Sequence, residues 1–378
     1  MKNQIKTLCT FAFIAALLNG CKIFPPDDLF PDISKYTVYV AGQYDFRISC
    51  YWKNGERTDL NTAENYMRAT TTGMSVSNGN VYLSGYYMNG DISNHVPCFW
   101  KNGIKTDLSL DGKLGGYTND IFVLGSDVYV VGMYIVEEQS YRKETLKPCY
   151  WKNNTLIEIT DYPNLFDISL DGDYNNPMTL PSVELVCIYV SGNDVYIGGN
   201  YDKGSKKDNS WGEQKQACYW KNGVRTDLPG NNSFVSGIFV DGGKVYASGG
   251  YDFSMPGFKN NKLGRPCYWV QGQKVDLQSS AYNASTSAIF VENGSVYVSG
   301  YGYEARGSNS CYWKDKTKTQ LDNKAEYTGS IFVKDGIVFT CGGIIEMTYE
   351  IPCYWANKKR MELSVTERNG EAITIFVE

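Results

Sequence analysis

The chain has 378 residues, 36 lysines and arginines against 41 acids, and a single histidine, His95. So mild a negative charge excludes a nucleic-acid binder, and one histidine excludes a His-based triad or a multi-histidine metal site. With 14% aromatic residues, 38 glycines and 42% hydrophobic content, the chain reads as β-rich and globular, not as globally disordered.

The first element is a signal peptide over residues 1–20. Lys2 and Lys6 precede a short apolar run, Leu8 to Leu18, which is too short to span a bilayer as a retained helix. Leu18-Asn19-Gly20-Cys21 resembles the bacterial lipobox, which implies cleavage before Cys21 and its acylation. Acyl chains contribute ~0.8 kcal/mol per buried methylene, so several would anchor the protein durably. Lys22 stands where an Asp would have resembled an inner-membrane retention signal. The expected address is therefore the outer membrane, facing the periplasm or the outside. Residues 21–35, acidic and Pro-rich, read as a tether.

From residue 36 to 378 the chain repeats itself. CYW or CFW begins at Cys50, Cys98, Cys149, Cys218, Cys267, Cys311 and Cys353. A VYVSG-like string ends at Gly42, Gly85, Gly132, Gly199, Gly249, Gly300 and Gly342. An IFV-like string (Ile121-Phe122-Val123, for example) and a TDL-like string (Thr106-Asp107-Leu108) recur in step. Four short strands, repeated seven times, predict an all-β fold, a seven-bladed β-propeller with four antiparallel strands per blade.

The connectors set the phase. Asn-Gly turns such as Asn54-Gly55 and Asn78-Gly79 suit tight hairpins, because both residues tolerate positive φ. Naming the strands A (IFV), B (VYVSG), C (CYW) and D (TDL) places both tight hairpins on one face and both long connectors on the other. The first repeat lacks strand A, and Ile373–Glu378 form a strand A with nothing after it. Blade 1 is therefore expected to be stitched from both chain ends, removing exposed sheet edges.

CYWKNGERTDL (Cys50–Leu60), CFWKNGIKTDL (Cys98–Leu108) and CYWKNGVRTDL (Cys218–Leu228) resemble the HAF-type bacterial extracellular repeats, and the likeness covers nearly all of residues 36–378. Blade 6 departs from it with Lys314-Asp315-Lys316 at the turn. Val195–Asp202 and Val245–Asp252 also look kelch-like. Neither resemblance implies one biochemical function.

Several residues look functional and read more simply as packing. One Trp per blade on strand C is inter-blade filling. The seven strand C cysteines lie a blade apart, beyond disulfide reach, and read as small buried hydrophobes, while Cys341 and Cys353 share a blade and are close enough in the fold to pair. The Tyr two residues after the strand B glycine (Tyr44, Tyr87, Tyr134, Tyr201, Tyr251) supports the loop base. The strand D Asp (Asp59, Asp107, Asp227, Asp276) is expected to be a hairpin or inter-blade partner.

Enzyme motifs are missing: there is no GxSxG, P-loop or HExxH, and no cofactor is expected. Two insertions break the repeat around blade 4, Thr160–Glu184 and Asp202–Ala217. They carry Tyr162, Phe166, Asp167, Asp171, Asp173, Tyr174 and Trp211, the last being the one mature-chain Trp outside the repeat. With Tyr201 beside them, these aromatics and carboxylates form the expected ligand site, of a kind that suits sugars. Asp171, Asp173 and Asn175 are a weaker Ca²⁺ alternative, since alternate oxygen ligands occur without the full loop pattern. The functional expectation is a lipid-anchored envelope propeller that binds a glycan or protein partner without catalysis. The alternatives are a glycan-processing hydrolase or lyase using loop carboxylates, and a scaffold of an envelope complex.

Overall fold

The computed structural model describes residues 31–378 apart from 46–47, 61–68, 89–94, 139–142, 163–182, 204–214, 254–263, 280–283, 305–306, 347 and 366–368. Its 28 strands form seven four-stranded antiparallel sheets, each running A-B-C-D. Blade 1 is the composite one: its inner strand, Gly370–Val377, pairs with Val38–Tyr44, which leads on to Ile48–Lys53 and Glu56–Asp59. The two ends of the repeat region are joined there, as Thr37 and Glu378 exchange backbone hydrogen bonds at 3.0 Å.

Each C–D hairpin has a residue of positive φ at its first turn position, such as Asn54 (50°), Asn102 (50°) and Asn222 (50°), each followed by a glycine that is also at positive φ. The same side chain has a second job. Its oxygen accepts the N–H of the first inward residue of strand B: Val38 at 2.8 Å, Val81 at 2.9 Å and Val195 at 2.9 Å respectively. The Asp315 carboxylate takes this role in blade 6, accepting from Val296 at 3.0 Å, and its φ is 57°. Asn and Asp meet both demands, a tolerated left-handed backbone and a short side-chain acceptor.

The strand C tryptophans are the joints between blades. Trp220 is fully buried and donates Nε1–H to the Asp161 carbonyl, 2.8 Å away, just past strand D of blade 3. Trp52 reaches Ser364, Trp151 reaches Ser109, Trp269 reaches Pro229 and Trp313 reaches Gln278 in the same way. Each of these five indoles thus fills the gap to the preceding blade and satisfies a carbonyl one or two residues past its Leu or Ile, while Trp355 donates instead to the Asp322 carboxylate at 2.9 Å.

The inner strands close around the axis with aromatic rings. Phe122, Tyr189, Phe239, Phe290, Phe332 and Phe376 follow one another at centroid spacings of 4.6–4.8 Å. Blade 2 has Ser75 at this position, whose Oγ accepts the Val123 N–H at 3.1 Å. These rings sit by the A–B hairpins, so they line the axis on the tight-hairpin face. Its other end opens toward the long connectors.

The strand D Asp has a different partner from the expected one. Asp59, Asp107 and Asp227 accept from the hydroxyls of Tyr44 (3.0 Å), Tyr87 (3.1 Å) and Tyr201 (2.9 Å) on strand B of their own blades. A basic side chain from strand D covers each ring: Arg57, Lys105 and Arg225 lie 4.0, 3.8 and 4.5 Å from the centroids. The reason is reach. The Tyr spans strand C, and strand D is where its hydroxyl arrives.

All nine cysteines among the described residues are free and buried. Cys341 opposes Tyr354 while Cys353 opposes Gly342, so their side chains leave opposite faces of the sheet and do not pair. Burial pushes the thiols up, Cys341 and Cys353 to about 12. In the native protein at pH 8 these nine should be silent to a thiol reagent. After denaturation without reductant at least nine thiols should react; a smaller number would mean that disulfides exist.

Candidate functional site

At the long-connector end, strands A and B each contribute one residue to a cross-strand pair that differs from blade to blade. The pairs are Thr70/Tyr86, Tyr117/Met133, Glu184/Asn200, Phe234/Gly250, Ser285/Tyr301, Tyr327/Gly343 and Glu371/Gln43. Below them every inner strand carries a β-bulge, at Thr71/Gly73 and Thr118/Asp120 for example. A bulge turns its extra side chain sideways, and here it reaches the next blade. Thr72 Oγ1 lies 3.0 Å from Ser84 Oγ and 2.9 Å from Thr118 Oγ1, and Ser236 repeats this with Ser248 and Thr286. Hydroxyls therefore tie the inner strands of blades 2 and 3, and of blades 5 and 6, to each other, and Asn119 Nδ2 donates to the Leu185 carbonyl between blades 3 and 4.

Above these contacts, between blades 2, 3 and 4, lies a cavity of about 380 Å³. Tyr86, Tyr117, Met133, Leu146, Val183 and Glu184 form its walls, with Thr72, Thr118, Asn119 and Leu185 beneath. The volume is within the range of small-molecule sites. Tyr86 and Tyr117 meet edge to face, with centroids 5.1 Å apart at 81°. His95 completes the cluster: its Nδ1 is 3.0 Å from Tyr117 Oη, and its ring lies 5.4 Å from Tyr86. Glu184 is anchored by Lys215 Nζ at 3.0 Å and Asn200 Nδ2 at 2.8 Å. Burial alone would raise this carboxyl, but the Lys215 charge and the two hydrogen bonds win and hold it below the ordinary range.

Asp120, beside Asn119, is largely enclosed by protein. Its carboxyl accepts the N–H groups of Ile121 (2.8 Å) and, across the blade gap, Ile188 (3.1 Å). Burial outweighs these two bonds and lifts its pKa from 3.8 to about 7. The folded chain thus holds a proton that the unfolded chain has already lost over roughly pH 4–7. Stability from this group falls as pH rises through that window and is flat above it. Relative to Asp120→Asn, the wild type should lose about 2–4 kcal/mol between pH 4 and 8 in denaturant titrations. Parallel pH profiles for the two proteins would count against this.

Of the residues singled out in the sequence, Tyr162 and Tyr201 are described. Tyr162 is half-buried against the blade 3–4 core, and Tyr201 is buried and bonded to Asp227; neither lines the cavity. Phe166, Asp167, Asp171, Asp173, Tyr174, Asn175 and Trp211 lie outside the described residues, as does Cys21. The cavity does border blade 4, and Glu184 on its wall is the last residue of the first insertion. Tyr86, Tyr117 and His95 were missed. Their signal was irregularity: Tyr86 stands between a repeated Gly and a repeated Tyr, at a position that is Gln43, Met133 or Asn200 elsewhere.

No protein-family model matches the chain, and no curated protein does. Among solved structures, Pyrococcus horikoshii acylaminoacyl peptidase superposes with a TM-score of 0.50 and 11% identity, over 88% of this chain and 51% of that one. This chain thus spans about half of the peptidase. YjhT gives 0.38 at 10% identity, covering 77% and 96% of the two chains. Bombyx mori GH32 β-fructofuranosidase BmSUC1 gives 0.33 at 9% identity, covering 78% and 79%. Likeness at such identities carries the fold alone.

Proposed function

We propose that this propeller is a non-catalytic binding module, anchored to the outer membrane through acylated Cys21, that captures a glycan on its long-connector face. The observation that carries the reading is the cavity's lining. Crossed Tyr86 and Tyr117 rings offer apolar platforms for sugar C–H faces, while Asn119 and the threonines supply polar groups nearby. The carboxylate on the wall, Glu184, is already committed to Lys215 and Asn200 and held ionised. That suits a fixed acceptor for sugar hydroxyls better than a general acid, which needs a raised pKa.

Glycan-array binding by the full chain is the test. Tyr86→Ala should weaken the strongest signal by about fivefold to thirtyfold, as loss of an aromatic platform costs on the order of 1–2 kcal/mol. Trp211→Ala asks whether the blade 4 insertion adds to the same surface. Binding to no glycan, or binding unchanged by Tyr86→Ala, would remove the cavity as a sugar site. For the anchor, Cys21→Ala should move the protein from the membrane fraction to the soluble one.

A further inference from the structure

The junction where the ring closes holds a second cluster, on the same face but across the axis from the glycan cavity. Glu350, near the start of strand C in blade 7 (Tyr349–Ala356), and Glu371, in the inner strand of blade 1, line one small cavity with Gln43. Its volume is about 10 Å³, room for one water or one ion and no larger ligand. Gln43 donates Nε2–H to Glu371 Oε2 at 2.9 Å, which fixes the amide's orientation. Its Oε1 is thereby left buried with no hydrogen-bond partner, and the whole residue is only 9% exposed. Tyr327 Oη is buried beside Glu350 and has that carboxylate as its polar neighbour, outside regular hydrogen-bond geometry. Among the described residues no Lys or Arg forms an ion pair with either glutamate.

Two carboxyl groups lining one cavity with no basic counter-charge, beside an orphaned carbonyl oxygen, make an arrangement that costs stability unless something positive joins it. We propose that Glu350, Glu371 and Gln43 Oε1 hold a hard divalent cation, Ca²⁺, across the junction of blades 7 and 1. All three donors are oxygen, the set that Ca²⁺ takes, and Ca²⁺ accepts irregular geometry with water filling the remaining positions. A water molecule would satisfy Gln43 but leave the two carboxylates without a counter-charge. The ion would tie the last blade to the composite one, where both chain ends meet.

Chelator-treated full chain, titrated with CaCl₂, tests this by thermal unfolding and by Tb³⁺ luminescence sensitised through neighbouring tyrosine. Saturating Ca²⁺ should raise the Tm by about 3 °C or more. Tb³⁺ emission should appear and be displaced by Ca²⁺. Glu350→Gln and Glu371→Gln, each of which removes a charge while keeping the shape, should abolish both responses. No Ca²⁺-dependent shift in the wild type would overturn the proposal without recourse to any variant. So would a shift that survives both substitutions, or one lost instead in Asp171→Asn/Asp173→Asn.

Discussion

Removing Ile373–Glu378 should unfold the propeller. Those residues form most of the innermost strand of blade 1 and carry Ile375 and Val377, both buried, and Phe376, which packs on Phe332 at 4.7 Å. Each large apolar side chain contributes about 1.5–3 kcal/mol by burial, and the backbone ladder to Val38–Tyr44 is lost with them. The sum is comparable to a domain's whole margin of about 5–15 kcal/mol. The truncated chain should show no cooperative melt, or should aggregate through the exposed edge of Val38–Tyr44. A truncated protein melting like the full-length one would refute stitched closure.

Trp220→Ala should be the most damaging kind of single substitution. The indole is fully buried between blades 3 and 4, and its loss opens a cavity and strands the Asp161 carbonyl. Large-to-small changes of this sort cost about 3–5 kcal/mol, and the unpaired carbonyl adds about 1–3 kcal/mol. Trp220→Phe keeps much of the packing but not the hydrogen bond, and should fall between the two. If both variants unfold at the wild-type denaturant concentration, the indole is not the inter-blade joint.

The repeated residues were readable because one blade explains every other. CYW, TDL and the Asn-Gly turns announce strand, edge and hairpin through local rules, and seven copies of the same pattern leave little choice of fold. The candidate site was less legible for the same reason. Trp211 and the long insertions are the largest departures from the repeat. The cavity is instead walled largely by single-residue departures within regular strands, Tyr86 and Tyr117 above all. His95 looked informative only as a count of one, yet it sits against both of those rings.

Strand order and hairpin face follow from the chain itself, because each depends on periodicity and turn chemistry within a few residues, and the composite first blade follows from counting repeats, one strand A missing at the start and one spare at the end. The partners of Asp59, Asp107 and Asp227 do not, since a tyrosine must cross an intervening strand to reach them. Nor do the blade-to-blade hydroxyl contacts of Thr72 and Ser236, which exist because a bulge rotates one side chain out of the sheet's alternation. The meeting of Glu350, Glu371 and Gln43 belongs to this second kind as well. Gln43 and Glu371 are 328 residues apart in the chain. They become neighbours only when the ring closes, and closure is a property of seven blades packed together, not of any segment within them.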